Sequence, residues 1–133
     1  MTPPVVTLSL EDSRTAYQPG EALSGEYCVE AADGADLQAV EISVLWSTEG
    51  RGDEDMAVHF FERVTVDEAA GIDLRQPRKF RTVLPNSPLS YDGVIVKLRW
   101  CVRIRAFLAR GKQVVEERPF RLGIIPPARA VLP

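Results

Sequence analysis

One histidine, two cysteines and a run of cations are the residues of this chain with chemistry to offer. His59 is the only imidazole, so a Ser-His-Asp or Cys-His site would have to use it. Strict alternation puts it on the opposite parity to Val58 and Phe60, outward and beside Phe61, where it reads as a surface histidine. One histidine and two cysteines on separate faces do not make the three- or four-ligand shell of a zinc site. Asp53-Glu54-Asp55 lacks the alternating oxygen ligands and central glycine of a calcium loop and reads as a solvated turn. Arg51-Gly52-Asp53 spells an integrin-binding tripeptide, a coincidence in a chain read as unexported, and Gly50-x-Gly52 lacks the rest of any phosphate-cradling loop. Cys101 lies between Arg99 and Arg103. Cations there favour the thiolate, although a silent exposed thiol explains the position as well. The chain is expected to be non-enzymatic, with no cofactor and no metal.

The cations carry more information. Between positions 94 and 115 stand Lys97, Arg99, Arg103, Arg105, Arg110 and Lys112, with no acid among them, whereas positions 11 to 41 hold eight acids and one base. Such asymmetry gives a surface two electrostatic faces. In a strand, Lys97, Arg99, Arg103 and Arg105 share one side in steps of about 7 Å, and Arg110 and Lys112 extend the row into a turn. Two readings follow. Neighbouring strands answer the row with Glu41, Glu49, Glu116 or Glu117 as cross-strand ion pairs. Alternatively the row receives an acidic protein segment, a phosphorylated partner or lipid headgroups. A net charge of −3 and the scarcity of aromatics beside the row disfavour nucleic acid.

The elements that position these residues are strands. Period-2 alternation dominates and helical periodicity is nearly absent. Seven strands are expected, over 5–10, 22–30, 38–48, 56–66, 78–84, 94–108 and 113–122. The connectors are turn chemistry: Pro19-Gly20, Ala32-Asp33-Gly34, Gly50 to Asp53, Pro85 to Pro88 with Asp92-Gly93, and a tight hairpin at Ala109 to Lys112. One short helix candidate lies at 67–74. The inward set is Leu23, Tyr27, Val40, Ile42, Val44, Trp46, Phe60, Phe80, Leu98, Trp100, Val102, Ile104 and Phe120, with Met56 and Val58 on the parity of Phe60.

A chain of 133 residues is one domain, large enough to bury a core without metal or disulfide. Seven short strands at regular spacing imply an all-β, two-sheet, immunoglobulin-like sandwich over residues 1–123, with a proline-containing tail at 124–133. No apolar run approaches a membrane span and no signal peptide is visible, so a cytoplasmic location is expected. Cys28, Trp46 and Cys101 invite an antibody-type reading, but alternation points both thiols outward. Cys28 shares its face with Glu26 and Glu30, and Cys101 shares its face with the basic row. A disulfide needs Cα atoms within about 7 Å, and a sandwich is thicker than that.

Two stretches resemble the arrestin-like superfamily. Tyr17-Gln18-Pro19-Gly20-Glu21-Ala22-Leu23-Ser24-Gly25-Glu26-Tyr27 is similar to the Tyr-x-Pro-Gly-Glu segment with which that family begins its second strand. Leu84-Pro85-Asn86-Ser87-Pro88-Leu89-Ser90-Tyr91-Asp92-Gly93 is similar to its Leu-Pro, Pro-x-Ser, Gly crossover into a long strand with a central aromatic. The resemblance, which takes in bacterial sporulation-control proteins, implies a single-domain version of an arrestin-like sandwich and a protein-binding adaptor. Receptor regulation does not carry over, because the phosphate-sensing polar core has no counterpart residues here. The partner is expected to be a protein, with the six cations as its binding residues and peripheral membrane contact allowed. The alternative is a structural domain that forms homo-oligomers through edge strands.

Overall fold

Alternating apolar residues build the two sheets strand by strand. The computed structural model describes residues 4–30, 37–50, 54–65, 75–93 and 95–123. Nine strands appear among them: β1 (Val5–Leu10), β2 (Ala16–Tyr17), β3 (Ala22–Glu30), β4 (Leu37–Gly50), β5 (Met56–Thr65), β6 (Arg78–Val83), β7 (Tyr91–Asp92), β8 (Val96–Leu108) and β9 (Gln113–Leu122). Seven are the expected strands, and β2 and β7 are two-residue additions. A small sheet runs β1-β3-β6, and a large one runs β2-β9-β8-β4-β5 with β7 beside β8. All pairings are antiparallel except β2 with β9. The helix candidate at 67–74, the loops at 32–34 and 51–53, and the tail at 124–133 lie outside the described residues.

The core sits between the sheets. Trp100, Tyr27, Leu23, Ile42, Ile104, Val44 and Val102 are fully enclosed, and Trp46, Phe60 and Leu98 pack partly buried against them. Trp100 meets Phe120 at 5.9 Å, and Phe120 meets Tyr17 edge-on at 5.5 Å. Each large apolar side chain so buried contributes roughly 1.5–3 kcal/mol before chain entropy opposes it. The interior glycine of β3 has a packing cause. A Cβ on Gly25 would lie 2.6 Å from the Ser9 carbonyl oxygen and 2.7 Å from the Phe80 ring, so only glycine lets that ring cross the strand.

Strand β5 departs from the expected alternation. Val44 pairs with Phe60, but Leu45 pairs with Val58, so a bulge at that step leaves His59 without its own partner on β4. The extra residue reverses the parity before it. Val58 therefore turns outward with Leu45, and Ala57 pairs with Trp46. Of the expected inward set of Met56, Val58 and Phe60, only Phe60 packs against the core, and Met56 and Val58 are exposed.

Candidate functional site

The segments that carry the family resemblance turn out to hold each other. Tyr17 is buried, and the Arg14 guanidinium lies 4.3 Å above its ring. Arg14 Nη1 and Nη2 donate to Glu21 Oε2 and Oε1 at 2.9 and 3.1 Å, and Glu21 Oε1 accepts from the Gln18 amide at 2.7 Å. The fork holds the Glu21 carboxyl below its ordinary pKa, with the Gln18 amide adding to the effect. Gly20 has φ +84°, which glycine adopts without strain. Its amide donates to Leu84 O at 3.0 Å, and the Leu84 amide returns a bond to Glu21 O at 2.9 Å. Beyond Leu84, the Trp100 indole N–H donates to Pro88 O at 2.8 Å, and the Leu122 amide donates to Ser90 Oγ at 2.7 Å. The motif residues thus work as a clasp between the start of β3, the end of β6 and the last strands.

The outward face of the large sheet carries the basic row. Cross-strand register sorts it into ranks: Val58–Leu45–Cys101–Pro119, then Phe61–Ser43–Arg103–Glu117, then Arg63–Glu41–Arg105–Val115. Leu45, although on this face, is only 2% exposed. Half of the expected neutralisation is present. Arg99 reaches Glu49 at 3.7 Å and Arg103 reaches Glu117 at 3.4 Å. Lys97 pairs with Asp92 of β7 at 3.6 Å, a partner alternation alone does not predict. Glu41 is directly opposite Arg105 but pairs instead with Arg63, whose guanidinium also lies 4.9 Å from the centre of the Phe107 ring. Glu116 goes to Arg118 at 3.9 Å. Among the described residues, Arg105, Arg110 and Lys112 have no ion pair, and the buried Arg105 Nε has no hydrogen-bond partner. Arg110, at φ +66°, and Gly111, at φ +73°, form the hairpin turn that presents the last two cations.

The remaining candidates lie apart. His59 is exposed, the surface histidine expected, but its ring turns toward the small sheet and not away from it. Its Nε2–H donates to Val83 O of the small sheet at 2.8 Å, and its ring stands edge-on to Trp100 at 6.1 Å. The same bulge that reversed the parity turned it there. Cys28 and Cys101 are not joined in a disulfide. Cys28 Sγ donates to Arg75 O at 2.9 Å. The activated-thiolate reading of Cys101 is overturned: burial, together with the hydrogen bond to Glu117, pushes its pKa up to about 12 against the lowering effect of Arg103. Glu54 and Asp55 are exposed, and no group of three metal-ligating side chains occurs among the described residues.

The fold has a counterpart among solved structures. Spo0M, a sporulation control protein from Bacillus subtilis, superposes with a TM-score of 0.65 over 94% of this chain at 17% identity. The fold is arrestin-like. The chain spans 51% of the length of Spo0M, so the arrestin-like sandwich described here matches about half of that protein. No protein-family model and no curated protein matches the sequence. No helix among the described residues is long and apolar enough to cross a membrane.

Proposed function

We propose that this arrestin-like sandwich is a non-enzymatic interaction domain that captures an acidic or phosphorylated protein segment on the outward face of its large sheet. The observation that carries the reading is the split in the basic row. Lys97, Arg99 and Arg103 are answered by acids, while Arg105, Arg110 and Lys112 end the face without an ion pair among the described residues. Cations without an acid, above all the half-buried Arg105, bind carboxylate or phosphate more strongly than cations already paired. The arrestin-like fold supports an adaptor role in general terms. The separation of Cys101, on the outward face of the large sheet, from His59, whose ring turns toward the small sheet, supports a non-catalytic reading, and two cysteines outside any disulfide suit a cytoplasmic setting.

A pull-down with native protein and an Arg105→Glu/Arg110→Glu variant tests this, with an Arg99→Glu variant as control. Folding of each is checked by thermal melting. A partner retained by the control and lost by the double variant is the expected result, with capture weakening as salt rises. Equal capture by all three forms would place the site elsewhere.

A further inference from the structure

Met56, Val58 and Phe61 of β5 are 59%, 49% and 53% exposed, and among the described residues no other strand exposes three large apolar side chains. The bulge brings all three to the outward face of the large sheet. There they head three ranks across β4 to β8: Met56–Ser47–Arg99, Val58–Leu45–Cys101 and Phe61–Ser43–Arg103. One side of β4 is therefore apolar and the other cationic. Between them β4 itself offers two serines and the buried Leu45. The middle rank runs on to Pro119 and crosses the face with no charged residue in it. An apolar patch rimmed by charge marks a binding surface. β5 and β8 are two inter-strand steps apart, about 10 Å, which is the width of an α-helix with its side chains. A strand laid on the face turns a single line of alternate residues downward and covers one row. A helix turns down a stripe at least about 100° wide, enough to reach both rows at once.

We propose that this face docks an amphipathic helix of a partner protein, apolar along the flank over β5 and acidic along the flank over β8. The proposal rests on the reading of the face as a receptor for an acidic segment, and it names the form of that segment. Charge selects the acidic flank: Arg99 and Arg103 hold their acids singly at 3.7 and 3.4 Å, and Arg105 has no ion pair among the described residues. Acids at i and i+4 of a helix rise about 6 Å, close to the step of about 7 Å between Arg103 and Arg105. From Ser47 to Glu41, the ranks that end in Arg99 and Arg105, β4 runs about 20 Å, which a helix of about 14 residues covers. The acids of the face favour a helix over a lipid surface. Glu41, Glu49 and Glu117 lie on it too. A uniformly anionic surface would press against all three, whereas a helix sets each charge singly.

Synthetic 18-residue peptides with a fluorescent label test the proposal by anisotropy on the full chain. One carries a leucine stripe flanked by glutamates, the second is a scramble of the same composition with no stripe, and the third holds glutamate and serine alone. The striped peptide is expected to bind at least about tenfold more tightly than either of the others, to become helical by circular dichroism as it binds, and to weaken as salt rises. The methyl NMR signal of Met56, one of two methionines in the chain, should shift with it. Phe61→Ser is expected to weaken the striped peptide at least about tenfold, and Val5→Ser, on the small sheet, to leave it unchanged. Equal binding of all three peptides overturns the helix and leaves the acidic-segment reading standing, because charge alone then suffices. Binding to phosphatidylserine vesicles without binding of the striped peptide overturns it in favour of a lipid surface. If no peptide binds, the helix is overturned, and the pull-down with Arg105→Glu/Arg110→Glu decides the acidic-segment reading separately. The Met56 signal is read on native protein, so the test stands even if Phe61→Ser does not fold.

Discussion

The clasp around Tyr17 and the outward face of the large sheet use the same residue types to opposite ends. In the clasp, Arg14 forks onto Glu21 at 2.9 and 3.1 Å, stacks on Tyr17, and sits beside two reciprocal backbone bonds. In the basic row, Arg103 and Arg99 approach acids singly at 3.4 and 3.7 Å, and Arg105 at its end has no ion pair among the described residues. Bidentate, multiply bonded pairs fix geometry, whereas single exposed pairs contribute little and exchange readily for a ligand's charge. The residues that signal the fold are therefore consumed in holding it, and the proposed binding surface uses residues no motif marks.

Five substitutions probe that difference. Trp100→Ala removes a ring that is 1% exposed and hydrogen-bonded to the crossover at Pro88. It is expected to destabilise by about 3–5 kcal/mol in denaturant unfolding. A near-neutral result would mean that the inward face of β8 has been assigned backwards. Gly25→Ala forces a methyl group against Phe80 and Ser9, at a cost of about 1–3 kcal/mol, read as a lowered unfolding midpoint. If it is tolerated, the ring moves freely and the close approach is not required.

Glu21→Gln probes the clasp through pH. The folded pKa of Glu21 lies below its ordinary value of 4.5, chiefly through Arg14. Its stabilising contribution is therefore fully present above that ordinary value and is lost as pH falls through the lower, folded one. The native protein should lose more stability on acidification than Glu21→Gln does, and parallel pH profiles would show that the fork contributes nothing. The smallest effects belong to the face. Arg99→Ala and Arg103→Ala are each expected to change stability by less than about 1 kcal/mol. A larger loss in either would mean that the row is part of the scaffold and would weaken its case as a binding surface.

Legibility in the sequence followed the regularity of the backbone. β3, β4 and β8 alternate without interruption over the stretches that carry the core, so Leu23, Tyr27, Ile42, Val44, Trp100, Val102 and Ile104 were assigned to the interior correctly. On β5 the same rule puts Val58 inward, whereas Val58 is exposed, because a bulge is a mismatch between two strands and leaves no mark in either one alone. β2 and β7 were not foreseen, since two residues carry no period. The Lys97–Asp92 pair was missed with β7. The basic row was visible as a row, but which of its members meet an acid was not.

By itself, the sequence determined an all-β chain, the inward parity of its regular strands, the turns at Gly20 and Gly111, and one strand face loaded with cations. Those properties depend on neighbours along the chain, where period and turn chemistry act. The tertiary structure alone decided that the two motifs close on each other, that Cys101 is half-buried beside Glu117, that Glu41 serves Arg63 while Arg105 has no ion pair among the described residues, and that a bulge interrupts β5 against β4. Each of these depends on which strands become neighbours in the sheet, and that order is set by packing the whole core, not by any local run of residues.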